Sequence, residues 1–223
     1  MTIDLAAWPH EYQPAAPGAP LLLLLHGTGG NEHEIKALAE NLDPDAGVLA
    51  PRGRVIEHGM NRWFRRLAEG VFDLDDVEVR ADELAQFVTA ALADYGVAGA
   101  AASPLIAVGF SNGANIALAT AMRHPEVVPR VIAFSGMYPF GDREPAKSLS
   151  ALSVLLLNGA SDPMAPRSSV QRLVGALEGG GARVTRIERE GGHGIAESDL
   201  DEARRWLKAR GWLKVRRWLE ASD

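Results

Sequence analysis

The chain has 223 residues, with hydrophobic side chains at 47% and charged side chains at 23% of its positions. This composition is typical of one globular domain with a large core, and it excludes intrinsic disorder as the main state. A net charge of −6, from 23 basic and 29 acidic side chains, argues against a nucleic-acid partner. The absence of cysteine excludes disulfides, thiolate catalysis and cysteine-ligated metals.

The apolar runs are too short to cross a membrane. The longest aliphatic run is Leu21 to Leu25, whereas a spanning helix needs about 20 apolar residues. The first residues also lack the basic start and apolar stretch of a secretory signal. We therefore expect a cytoplasmic protein without a stable membrane anchor.

Short apolar runs alternate with amphipathic runs along the chain, which predicts a mostly parallel sheet with helices on both faces. No linker or repeat divides the chain, so we expect one domain over residues 1–223. The predicted strands are Pro20 to His26, Gly47 to Ala50, Pro104 to Phe110, Pro129 to Ser135, Ser153 to Asn158 and Arg183 to Glu188. The predicted helices are Asn31 to Leu42, Asp82 to Tyr95, Asn112 to Arg123, Ser168 to Leu177 and Asp199 to Arg210.

The segment from Arg52 to Asp76 has weak periodicity and is long for a connection. Such segments in compact domains are usually lids or binding loops, and we interpret it in that way. Three of its arginines, Arg62, Arg65 and Arg66, are interpreted as a solvated basic face in preference to a site for an acidic substrate group.

A candidate nucleophile lies where a predicted strand meets an alanine-rich helix. Gly109-Phe110-Ser111-Asn112-Gly113 matches the G-x-S-x-G pattern, in which a serine occupies a tight strand-to-helix turn. The flanking glycines let the strand and helix backbones approach each other. The positive end of the helix points towards any oxyanion that forms near Ser111.

A serine nucleophile needs a base and a group that orients the base, in the chain order serine, acid, histidine. Only His124 and His193 follow Ser111; His124 lies at the far end of the same helix, so His193 is the predicted base. Asp162, directly after a predicted strand, is the predicted acid, although it is also placed to cap the helix that follows Pro166. Asp142 belongs to a polar loop.

A second glycine-rich turn, Gly27-Thr28-Gly29-Gly30, follows the first predicted strand. Backbone N–H groups at this position complete the oxyanion hole of such enzymes, so we predict donors at Thr28 and Asn112. A phosphate-binding loop is the competing interpretation, but Glu32 stands where G-x-G-x-x-G needs glycine and no Gly-Lys-Ser/Thr follows. His26 is expected to be structural.

Apolar side chains on the loops around this site are candidates for an acyl pocket. They are Trp63, Phe64, Met137, Tyr138 and Met164. The histidines are scattered without metal-binding spacing, so we expect no metal and no cofactor.

The motifs LLLHGTGGNE, GM-x-x-WFRRLAEGVFD, GFSNGANIA, FSGMYP, LLLNGASDPM and GGHGI resemble the phospholipase/carboxylesterase family of α/β hydrolases. The resemblance runs from about Trp8 to Arg210. It implies a single-domain α/β-hydrolase fold without a large cap, no cofactor, and often a homodimer. It also implies a triad of Ser111, Asp162 and His193 with oxyanion donors at Thr28 and Asn112. Close relatives often carry another aromatic residue where this chain has Trp63, a difference that bears on acyl-chain preference. The resemblance does not cover the tail, Gly211 to Asp223.

The resulting expectation is a serine carboxylesterase that acts on short-to-medium acyl esters of small molecules through an acyl-enzyme. Two alternatives remain open. One is a thioesterase or lysophospholipase for longer chains, which shares the triad and differs in pocket shape. The other is a binding module without catalytic activity. The tail is expected to form a short amphipathic helix that docks on the domain or on a second subunit.

Overall fold

A computed structural model describes residues 3–68, 70–97, 104–144 and 148–211. The strands of these residues, in chain order, are β1 (His10–Gln13), β2 (Leu21–Leu25), β3 (Gly47–Pro51), β4 (Val55–Glu57), β5 (Met60–Arg62), β6 (Arg66–Ala68), β7 (Val71–Phe72), β8 (Leu105–Phe110), β9 (Arg130–Phe134), β10 (Ser153–Gly159) and β11 (Arg183–Arg189). The helices are α1 (Ala37–Leu42), α2 (Leu74–Asp94), α3 (Asn112–Arg123), α4 (Arg167–Gly179) and α5 (Glu197–Ala209).

The central sheet has the order β1-β3-β2-β8-β9-β10-β11. All neighbouring strands are parallel except the edge strand β1, which runs antiparallel to β3. The expected parallel sheet with helices on both faces is therefore confirmed.

The strand β2 shows why this sequence makes a sheet with two buried faces. Its five leucines alternate between two hydrophobic clusters, because successive side chains of a strand point to opposite faces. Leu21, Leu23 and Leu25 pack with side chains of α2, α3 and α4, whereas Leu22 and Leu24 pack with α1 and α5. An uninterrupted aliphatic run is what such a doubly covered strand requires.

Some elements differ from the sequence-based expectation. The helix α2 begins at Leu74 instead of Asp82, because the Asp73 carboxylate caps it by accepting a hydrogen bond from the Asp76 N–H (3.2 Å). The predicted helix from Asn31 is shorter and starts as a 3-10 turn, Glu34–Lys36. The segment from Arg52 to Asp76 contains two short antiparallel hairpins, β4–β5 and β6–β7.

Strand β1 was not predicted, because its residues are polar and only partly buried. Most of the predicted tail helix, residues 212–223, lies outside the described residues. Among the helices in the described ranges, none combines the length and apolar character that a bilayer crossing needs.

The carboxyl ends of the parallel strands lie at one edge of the sheet, where open α/β sheets place their ligands. The turn after β2 carries Thr28, and the turn after β8 carries Ser111. The turns after β10 and β11 carry Asp162 and His193. Residues far apart in sequence thus meet at this edge.

Candidate active site

Ser111 occupies a strained turn between β8 and α3. Its backbone angles are φ 54° and ψ −116°, a conformation that side-chain-bearing residues rarely adopt. A Cβ atom at Gly109 would lie 2.4 Å from the Gly113 carbonyl oxygen, and one at Gly113 would lie 1.9 Å from the Leu25 carbonyl oxygen. Only glycine fits at these two positions, so the motif residues meet a steric requirement of the turn.

Asp162 and His193 form a hydrogen-bonded pair. The distance between His193 Nδ1 and Asp162 Oδ2 is 2.8 Å, and the Asp162 side chain is fully buried. The other carboxylate oxygen accepts hydrogen bonds from the backbone N–H groups of Met164 (2.8 Å) and Ala165 (3.2 Å). These bonds tie Asp162 to its own loop and leave Oδ2 facing the imidazole. Asp162 does not cap α4, whose N-cap is Pro166.

The imidazole of His193 lies beside the nucleophile turn. Its ring centroid is 5.1 Å from that of Phe110, the residue that precedes Ser111. Within the described part of the chain, the Ser111 hydroxyl makes no hydrogen bond, and Ser111 forms part of a cavity wall. Hydrogen bonds between a nucleophile and its base are often long without substrate and shorten when substrate binds.

The predicted oxyanion donors flank Ser111. Asn112 is the first residue of α3, so its N–H has no acceptor within the helix. Thr28 lies between Gly27 and Gly29, and Gly29 has a φ of 84°. The Thr28 hydroxyl oxygen accepts a hydrogen bond from Arg62 Nη1 (3.0 Å). Both Thr28 and Asn112 line the same cavity as Ser111.

The His26 side chain connects the turn that carries Thr28 to the segment that follows β3. The backbone N–H of Gly53 donates to His26 Nε2 (2.9 Å), so the ring proton is on Nδ1, which donates to the Gly27 carbonyl (2.7 Å). Burial lowers the pKa of the His26 imidazole below its ordinary value of 6.5, despite the opposing effect of the bond to Gly27. His26 is therefore a neutral bridge between this turn and the segment after β3.

That segment also contacts the nucleophile turn directly. The Trp63 N–H donates to Asn112 Oδ1 (2.8 Å), and the Trp63 indole N–H donates to the His26 carbonyl (2.8 Å). Trp63 and Phe64 were predicted to line the pocket, but the structure places both in the hydrophobic core. They lie in the bend between β5 and β6 with their side chains buried, while their neighbour Arg62 lines the cavity.

The cavity over Ser111 has a volume of about 860 Å³, which is within the usual range for small-molecule sites. Met137, Tyr138 and Met164, three of the five side chains predicted for an acyl pocket, line it. The segment after β3 contributes further wall residues that the sequence analysis did not assign, among them Met60, Arg66, Val71 and Phe72.

Arg189 is a site residue that the sequence analysis missed. Its guanidinium Nε donates to the buried carboxylate of Asp199 (2.6 Å). Its Nη atoms donate to three carbonyl oxygens of the loop that carries His193, those of Glu190 (3.0 Å), Gly192 (3.2 Å) and Gly194 (2.8 Å). An arginine at the end of a strand gives no local signal of this role, because the acceptors are backbone atoms.

In the described ranges, no group of three or more His, Asp or Glu side chains is arranged to hold a metal ion. The ordered strands and the serine turn with an adjacent aspartate–histidine pair define an α/β hydrolase.

Comparison with known proteins agrees with this class. A family model described as Phospholipase/Carboxylesterase matches residues 12–210. The chain belongs to the phospholipase/carboxylesterase family of hydrolases. The Bacillus subtilis (strain 168) protein MhqD is 38% identical over 188 residues, which are 84% of this chain and 92% of that protein.

Solved structures show the same relationship. The carboxylesterase of Bacillus cereus aligns with a TM-score of 0.84 at 36% identity, covering 92% of this chain and 95% of its own. The carboxylesterase of Mesorhizobium loti aligns with a TM-score of 0.81 at 29% identity, covering 91% of this chain and 95% of its own. The protein is thus a hydrolase with the fold of carboxylesterases.

Proposed function

We propose that the protein hydrolyses short-to-medium carboxylic esters of small molecules through an acyl-enzyme on Ser111. The observation that carries this proposal is the 2.8 Å bond between Asp162 and His193 next to the strained turn of Ser111. A buried carboxylate that orients an imidazole beside a serine is the arrangement that converts a weak hydroxyl nucleophile into a strong one.

Acylation begins when the Ser111 oxygen attacks the ester carbonyl and His193 Nε2 takes the hydroxyl proton. Asp162 accepts the Nδ1 proton in a hydrogen bond and stabilises the imidazolium without itself being protonated. The N–H groups of Thr28 and Asn112 bind the oxyanion of the tetrahedral intermediate. Each such donor contributes about 3–4 kcal/mol to the transition state in enzymes of this type.

The intermediate collapses when the carbon–oxygen bond to the leaving alcohol breaks and His193 returns the proton to that oxygen. Water then enters, and His193 takes one of its protons while the water oxygen attacks the acyl carbonyl. Breakage of the bond to Ser111 releases the carboxylic acid and restores the serine hydroxyl.

The cavity supports the expected acyl length. Met137, Phe72 and Met164 provide apolar contacts for an alkyl chain, whereas Arg62, Arg66 and Arg172 occupy other parts of the wall. A long alkyl chain would have to pack against Arg66 and Arg172, whose side chains are 28% and 40% exposed, and would remove water from their guanidinium groups. This cost supports a limited chain length.

The test is the substitution Ser111→Ala. We expect p-nitrophenyl acetate turnover to fall by several orders of magnitude, with thermal unfolding close to that of the unsubstituted protein, because alanine removes only the hydroxyl. A fluorophosphonate should label the unsubstituted protein once per chain. Ser150→Ala, on an exposed loop, is the matched control. Undiminished turnover or labelling of the Ser111→Ala protein would refute the proposal, and greater turnover of palmitoyl than of octanoyl esters would refute the chain length.

A further inference from the structure

The charged residues that line the cavity over Ser111 in the described ranges are all basic. They are Arg62, Arg66 and Arg172. The whole chain, by contrast, has a net charge of −6. A cleft lined by charges of one sign concentrates the field and attracts ligands of the opposite sign.

Arg62 is the arginine nearest to the chemistry. Its side chain is 4% exposed, and it reaches the Thr28 hydroxyl at 3.0 Å. The sequence pattern predicted a solvated basic face, which for Arg62 is wrong. Burial lowers the pKa of its guanidinium, and the Glu57 carboxylate offsets only part of this effect. A buried cation of this kind is stabilised by a further anion.

Among the described residues, the two positive charges of Arg62 and Arg66 face the single negative charge of Glu57. Glu57 is the carboxylate that pairs with both Arg62 (Nε to Oε2, 3.2 Å) and Arg66 (Nε to Oε1, 2.7 Å). Two guanidinium groups therefore share a single carboxylate. Arg66 is only 28% exposed, so solvent does not fully screen the remaining charge.

We propose that the preferred substrates are esters that also carry a carboxylate, which Arg62 and Arg66 bind in the cavity. This inference rests on the proposed esterase function. A planar guanidinium binds a carboxylate through paired hydrogen bonds, and one uncompensated charge matches a monoanion. Arg62 contacts Thr28, the proposed oxyanion donor. A substrate carboxylate bound to Arg62 is therefore separated from the ester carbonyl carbon by only a few covalent bonds.

The experiment compares monomethyl succinate with methyl pentanoate, two methyl esters of similar length of which only the first is charged. Initial rates are followed by titration of the released acid. We expect kcat/KM for the unsubstituted protein to be about tenfold or more higher for the charged ester, the effect of one charge-assisted hydrogen bond. Raising the ionic strength should lower this ratio.

Two variants should change the ratio in opposite directions. Arg66→Gln leaves Glu57 to neutralise Arg62, and we expect the ratio of kcat/KM for the charged ester to kcat/KM for the uncharged ester to fall about tenfold. Glu57→Gln removes the competing carboxylate, and the ratio should rise. Arg205→Gln removes one positive charge from the outer face of α5, where Arg205 is 66% exposed, and should leave the ratio unchanged.

Misfolding cannot account for an increase in one variant and a decrease in the other. Equal kcat/KM for the two esters in the unsubstituted protein, or a ratio insensitive to Arg66→Gln, would overturn this inference while leaving the esterase proposal intact. If the unsubstituted protein hydrolysed none of the three esters, that is, neither of the two methyl esters nor p-nitrophenyl acetate, the esterase proposal would be overturned instead.

Discussion

Arg189 is expected to position the loop that carries His193, and the substitution Arg189→Met tests this role. The guanidinium makes one bond to the buried Asp199 and three to carbonyl oxygens of the loop, at 2.6–3.2 Å. Methionine fills a similar volume but donates no hydrogen bonds. The variant therefore leaves the Asp199 carboxylate without its cation and leaves the loop without its clamp.

The size of the effect follows from these contacts. The Asp199 side chain is 3% exposed and the Arg189 side chain 16%, so this is a largely buried pair. Removing one partner of a buried pair costs about 3–5 kcal/mol, which in a chain of this size lowers Tm by roughly 6–20 °C. The activity effect is separate, because a displacement of the imidazole by about 1 Å costs on the order of a hundredfold in rate.

The assay measures Tm together with kcat and KM for p-nitrophenyl acetate. We expect kcat to fall about a hundredfold and KM to change little, because Arg189 does not line the cavity. Arg189→Lys retains a cation for Asp199 but cannot reach three carbonyl oxygens, so it should recover Tm more than kcat. Arg186→Met, on the same strand and paired with Glu188 at a partly exposed position, is the control. Unchanged kcat in Arg189→Met, or equal recovery of Tm and kcat in Arg189→Lys, would refute the positioning role.

Two further predictions concern the packing and the titration of the site. Gly159→Ala should lower kcat, since its Cβ would lie 2.4 Å from the Gly192 carbonyl oxygen and push the His193 loop away; unchanged activity would show that the loop adjusts freely. Stability should fall as pH decreases below about 6.5, by up to about 1.4 kcal/mol per pH unit, because the unfolded chain takes up a proton at His26 while the folded protein, with its lowered pKa, does not. Urea unfolding at several pH values should show that the free energy of unfolding depends less steeply on pH in His26→Gln than in the unsubstituted protein. An equal dependence would contradict the assignment of this effect to His26.

The nucleophile turn was predictable because its requirement is local. A serine between a buried strand and a helix, with glycine two residues away on each side, can adopt few conformations other than the strained turn observed at Ser111. Asp162 and His193 were predictable for a related reason. Both follow strands whose carboxyl ends a parallel sheet must bring to one edge.

The side chains of the pocket were only partly predictable. Met137, Tyr138 and Met164 follow strands and line the cavity, but Trp63 and Phe64 belong to the core. An apolar residue in an irregular segment has no periodicity that indicates its direction. The bend between β5 and β6 that carries these two rings is held by hydrogen bonds from Trp63 to His26 and Asn112, which are remote in sequence.

The amino-acid sequence by itself therefore determined the order of the layers, the steric character of the serine turn and the strand ends that supply an acid and a base. Periodicity and glycine spacing act over a few residues, and the rule that parallel strands end at one edge holds for every sheet of this class. The tertiary structure decided the burial of Arg62, the sharing of Glu57 by two arginines and the clamp of Arg189 on a loop. These depend on distances between distant segments, which no local pattern encodes.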